Sequence, residues 1–228
     1  RRSSAASDVY KRQILNQATR QDSFELSVDF IEAIGWKVEA EQRPSIVINP
    51  GSTASFYIAV TAPDNAQAND VAPTFKPILT STRSGMQYDG PEYSNIVIET
   101  LYDVELLLID AESVLKPGAT TVIEVEAINN GNGPTTATIH LVDAPESWTY
   151  SIRVEGVIQE THSIDLGVVY SGENSMQVEV LLNVPMTEAA GEFHTITIEL
   201  HPEGQDIEFS DNHISIDMIT GSVKYPEY

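Results

Sequence analysis

The run Thr121-Val122-Ile123-Glu124-Val125-Glu126-Ala127-Ile128-Asn129-Asn130-Gly131-Asn132-Gly133-Pro134-Thr135-Thr136-Ala137-Thr138-Ile139-His140-Leu141 decides the fold class. Ile123, Val125 and Ala127 alternate with Glu124 and Glu126, and Ile139 and Leu141 alternate with Thr138 and His140. Successive side chains of a β-strand point to opposite faces, so this period of two gathers the apolar residues on one side and the polar ones on the other. Asn130 to Pro134 between the two runs supplies residues that tolerate the positive φ of a tight hairpin turn. The stretch therefore reads as two half-buried antiparallel strands joined by a hairpin.

The same pattern extends outward. Met176, Val178, Val180 and Leu182 alternate with Gln177, Glu179 and Asn183; Ile196, Ile198 and Leu200 with Thr197 and Glu199; Ile214, Ile216 and Met218 with Ser215 and Asp217. Pro117-Gly118, Ser171-Gly172 and Glu203-Gly204 separate the runs as turn signals. The one stretch with any helical character, Phe30 to Trp36, is too short to hold a helix in water.

The succession of features occurs twice. It runs Phe24 to Val28, Gly35-Trp36-Lys37-Val38, Asn49-Pro50-Gly51, Phe56 to Pro63 and Ser94 to Ile98 in the first half. In the second it runs Ala137 to Leu141, Ser147-Trp148-Thr149-Tyr150, Ser171-Gly172-Glu173, Met176 to Pro185 and Ser210 to Ile216. Trp36 and Trp148 are 112 positions apart, Gly51 and Gly172 121, and Asn95 and Asn212 117. A period near one hundred residues is the size of one immunoglobulin-type sandwich. The expected architecture is all-β, tandem Ig-like antiparallel β-sandwiches over residues 14–100 and 101–219, with 220–228 a tail or the start of a further segment. Both tryptophans are expected as core plugs.

Residues 1–13, RRSSAASDVYKRQ, differ in character, with four of the chain's twelve Lys and Arg and a single acid. The string from Ser3 to Gln13 resembles the conceptual translation of a transposase adapter used in sequencing libraries. That resemblance implies a reading frame that begins inside a longer gene, and the segment is expected as a disordered tail outside the fold. The second domain opens with Val104 to Leu108, Lys116-Pro117-Gly118 and Val122 to Ile128; the first has only Ile14-Leu15-Asn16 before the matching point. The first sandwich is thus expected to lack one strand and most of the next, to leave a neighbouring strand unpaired, and to be the less stable of the two.

Ala127-Ile128-Asn129-Asn130-Gly131-Asn132-Gly133-Pro134 followed by a strand and Pro145-Glu146-Ser147-Trp148 resembles the Ig-like repeats of prokaryotic surface proteins. The closest types are the cell-adhesion-related domain found in bacteria, CARDB, and the Ig-like domain associated with alpha-galactosidases. The match is good over 101–219 and poorer over 14–100, where Asn16-Gln17-Ala18-Thr19 lacks the glycines and Ala33-Ile34-Gly35-Trp36 lacks the proline. The resemblance implies a spacer or adhesive module and carries no catalytic residue with it.

Composition narrows the function. Of 228 residues, 34 are Asp or Glu and 12 Lys or Arg, a formal net of −22 that disfavours nucleic acid as a partner. The absence of cysteine excludes disulfides, thiolate metal sites and cysteine nucleophiles. No apolar run approaches the ~18–20 residues of a membrane helix, so no membrane insertion is expected from this stretch. His140, His162, His194, His201 and His213 form no HExxH or other close ligand pair and are expected on the surface. Gly131-Asn132-Gly133 is followed by a strand where a phosphate loop needs a helix N-terminus.

One chemical expectation stands. Asp206, Glu208, Asp211 and Asn212 near the end of the second domain, with Glu99 and Asp103 at the junction, offer the hard oxygen ligands that suit calcium, though without DxDxDG spacing. The expected function is a non-catalytic spacer or adhesive module of an extracellular or cell-surface protein. Its partners would be neighbouring Ig-like domains, cell-surface proteins or glycans. The alternative is an accessory module of a secreted hydrolase, for which Tyr88, Tyr93, Tyr150 and Tyr170 are the candidate sugar-stacking aromatics.

Overall fold

A computed structural model describes residues 7–43, 45–203 and 211–221. The chain forms two compact units, residues 1–100 and 101–228.

The first unit contains β1 (Ser7–Leu15), β2 (Asp22–Phe30), β3 (Lys37–Ala40), β4 (Ile46–Ile48), β5 (Thr53–Thr61), β6 (Phe75–Ser81) and β7 (Gln87–Asp89). One sheet has the order β1-β5-β3 and the other β4-β2-β6-β7, with every pair antiparallel. Alternation along β5 turns Phe56, Ile58 and Val60 inward, where they meet Phe24, Ile46, Ile48 and Phe75 of the facing sheet. Trp36 packs half-buried against this core.

Strand β1 corrects the expectation that residues 1–13 lie outside the fold. Ser7 stands opposite Thr61 and Leu15 opposite Thr53, a continuous antiparallel register along the whole of β5. Without it, β5 would present a row of unpaired amides and carbonyls. The segment also carries the needed alternation: Tyr10 and Ile14 pack against the core, while Val9, Lys11 and Gln13 are exposed. Tyr10 meets Phe75 edge to face at 6.0 Å, and the Arg12 guanidinium lies 4.8 Å over the ring of Tyr93. The strand counted as mostly missing is therefore present. Residues 1–6 lie outside the described residues.

The second unit contains β8 (Val104–Ala111), β9 (Val114–Leu115), β10 (Thr120–Asn129), β11 (Thr135–Val142), β12 (Thr149–Val154), β13 (Val157–Ile158), β14 (Ser163–Leu166), β15 (Ser175–Asn183), β16 (Phe193–Pro202) and β17 (His213–Thr220). Its sheets run β13-β12-β15-β10-β8 and β14-β11-β16-β17-β9. Lettered in the immunoglobulin convention, β8, β10, β15 and β12 are strands A, B, E and D, and β11, β16 and β17 are C, F and G. The A strand is divided, since β8 pairs with β10 while β9 pairs in parallel with β17 of the other sheet. In the first unit β1, β5 and β3 take the places of B, E and D, and β2, β6 and β7 those of C, F and G. No counterpart of β8 or β9 occurs there among the described residues.

The turn at Asn129–Pro134 is also corrected. β10 pairs with β15 and β8, and β11 with β14 and β16, so the two strands lie in different sheets and the connection crosses the sandwich. A period of two says only that each strand has an apolar face; here those faces are buried against each other, with Ile123, Val125, Ala127 and Ile139 fully enclosed. Trp148 plugs the same core at 6% exposure. Of the stretch expected as a tail, Thr220 closes β17, and residues 222–228 lie outside the described residues.

Both crossings are held by one device. Asn129 is buried; its Nδ2 donates to the Gly133 and Gly167 carbonyls, each at 2.8 Å, and its Oδ1 accepts from the Gly131 amide at 2.9 Å. Asn16 repeats this in the first unit, donating to the Arg20 and Ile48 carbonyls and accepting from the Ala18 amide, all at 2.9 Å. The matched partners are i+2 and i+4 in both cases. A buried carboxamide that satisfies three backbone groups fixes the path of the crossing, with glycines at Asn129 and without them at Asn16.

Candidate functional site

Of the four clustered residues proposed for calcium, Asp211 and Asn212 lie among the described residues. Asp206 and Glu208 lie outside the described residues. The Asp211 carbonyl accepts from the Leu106 amide at 2.9 Å. Asn212 is buried, and its Nδ2 donates to the Leu200 carbonyl at 3.1 Å. The amide is thereby tied to the neighbouring strand β16.

The side chain of Tyr170 lies outside the described residues. Tyr93 stacks on Phe75 at 5.1 Å, and Tyr150 stacks on His162 at 4.1 Å while donating its hydroxyl to the Ile139 carbonyl. Tyr88 is exposed but meets Phe24 edge to face at 6.1 Å. An open groove of about 480 Å³ in the first unit is lined by Leu26, Ala40, Glu41, Gln42 and Arg43, and its charges are mutually engaged, Arg43 to Glu41 at 2.8 Å.

Three of the five histidines share the outer side of the β14-β11-β16-β17 sheet. His140 lies across from Glu199, and Glu199 across from His213. The His140 and His201 rings meet edge to face at 5.2 Å, and His201 Nε2 lies 2.8 Å from Glu199. Desolvation first, and then the neighbouring His201, hold the His140 imidazole below its ordinary value, against the opposing pull of Glu199.

His194 departs from the surface reading. It lies at the start of β16 with only 13% of its side chain exposed, and its ring packs on Trp148 at 4.8 Å. The connection from β15 to β16 brings Glu188 and Glu192 beside it, so that one ligand atom from each of the three residues lies within 4.8 Å of the others. Trp148 Nε1 donates to Glu188 Oε2 at 2.9 Å and so orients the carboxylate. The other oxygen, Oε1, is 3.4 Å from His194 Nε2, an atom that is buried and has no hydrogen-bond partner. Backbone bonds hold the loop: Glu188 to Pro185 at 3.2 Å, Gly191 to Thr220 at 2.6 Å and Thr220 to Glu192 at 2.9 Å. Gly191 has φ +87°, where a side chain would be strained. Two acids and a histidine within seven residues were visible in the sequence. The tryptophan that holds Glu188 comes from forty residues away, and no spacing rule reaches it.

No family model matches the chain, and no curated protein matches it. Among solved structures it is similar to a CARDB domain from Pyrococcus furiosus, determined in complex with di-metal ions, at 14% identity over 52% of this chain and 88% of that one, with a TM-score of 0.33. It is similar to the major pilin subunit of Bacillus cereus at 7% identity over 93% of this chain and 69% of that one, TM-score 0.32. A chaperone of Pseudomonas aeruginosa follows at 8% identity over 93% of each chain, TM-score 0.28. At these scores the likeness adds nothing to the topology described above. Among the described residues, no helix is long and apolar enough to cross a membrane.

Proposed function

We propose that the chain is a non-catalytic structural module, a pair of tandem Ig-like repeats that space or adhere within a larger extracellular or cell-surface protein. The observation that carries this reading is the repetition itself: both units use one strand order, and both fix the same crossing with a buried asparagine. Each unit closes around its own core. A formal charge of −22 keeps such repeats mutually repulsive and soluble where they are exposed. The accessory carbohydrate-binding reading gains less support, because Tyr93 and Tyr150 spend their faces on Phe75 and His162.

The test is mechanical. Pulled from its two ends, the chain is expected to unfold in two separate steps, one per unit, and to recover both on relaxation. Release of the whole length in one low-force event would overturn the spacer reading.

A further inference from the structure

We propose that Glu188, Glu192 and His194 form a binding site for one divalent transition-metal ion of the zinc class, which ties the β15–β16 connection to the Trp148 end of the second sandwich. The donor set is one imidazole and two carboxylates, a combination that zinc accepts and that calcium, with six to eight oxygen ligands, does not favour.

Distances support the assignment. Zinc bonds of about 2.0–2.2 Å at tetrahedral angles place neighbouring donors about 3.3–3.6 Å apart. His194 Nε2 and Glu188 Oε1 are 3.4 Å apart, a separation too long to serve as a good hydrogen bond but right for the edge of that tetrahedron. The nitrogen is buried and makes no hydrogen bond, which is costly for a polar atom unless something else meets it. Glu188 is already oriented by the Trp148 indole, the kind of outer partner that fixes a metal-binding carboxylate. Glu192 is exposed, so the third ligand lies on the solvent side and leaves an entry path. A water or a group from another molecule would complete the fourth position.

The experiment is calorimetric titration of zinc into the metal-free chain near neutral pH. One zinc per chain is expected. Loss of an outer-shell partner costs about 10- to 100-fold in affinity, and His194→Gln, which removes a ligand, should cost at least that. Glu192→Gln alters an exposed side chain outside the core, so it keeps the test decisive should the histidine variant fold poorly; a loss of about tenfold or more is expected. Failure of the wild type to bind zinc overturns the proposal, as does binding that both variants retain. Calcium competing equally with zinc overturns the zinc-class assignment.

Discussion

Asn129 and Asn16 show how much one side chain can decide. Each satisfies three backbone groups inside the sandwich at the point where the chain leaves one sheet for the other. Truncation to alanine would strand a buried amide and two carbonyls, at roughly 1–3 kcal/mol for each group left unmet and unrelieved by water. Asn129→Ala is expected to destabilise the second unit by about 3 kcal/mol in urea unfolding, and Asn16→Ala to do the same to the first. His140 gives a second prediction. Its folded value is held below the ordinary ~6.5, so the unfolded chain takes up the proton first. Its contribution is complete above that unfolded value and is lost as pH falls from there toward the folded one. Stability of the second unit should therefore drop as pH falls below the ordinary imidazole value, and His140→Gln should flatten that slope. Unfolding midpoints across that range check it. At this scale the sequence showed the residue types but little of their work: Asn129 was visible as turn chemistry, while its inward direction depends on the Gly167 carbonyl, 38 residues away.

Among the elements, β1 separates pattern from provenance. Its residues resemble an adapter, yet Tyr10 and Ile14 alternate as a half-buried strand requires, and β5 needs a partner along its full length. Deleting residues 1–13 should expose that edge and cost the first unit more than about 3 kcal/mol, a large share of the ~5–15 kcal/mol that holds an ordinary domain. Hydrogen exchange at the β5 amides from Phe56 to Val60 is the measurement; protection unchanged by the deletion would show that β1 contributes nothing. The error over the turn at 129–134 has the same root. Alternation identifies a strand and its buried face but is silent on which strand lies beside it, because lateral pairing is made by backbone groups that every residue carries.

Across the whole molecule, the two units differ in the depth of their cores. Among the described residues the second has 21 buried apolar side chains in one cluster, and the first has nine. Burial of a large aliphatic side chain contributes about 1.5–3 kcal/mol, so the first unit should be the one that opens first when the chain is pulled. The sequence by itself determined the all-β class, the repeat and the acidic surface, because strand period, turn composition and net charge are local or additive properties of the chain. Tertiary structure alone decided that β1 belongs to the first sandwich, that β10 and β11 face rather than pair, and that Trp148 reaches Glu188 beside His194. Each of those rests on contacts between residues distant in sequence, and such contacts leave no local pattern to read.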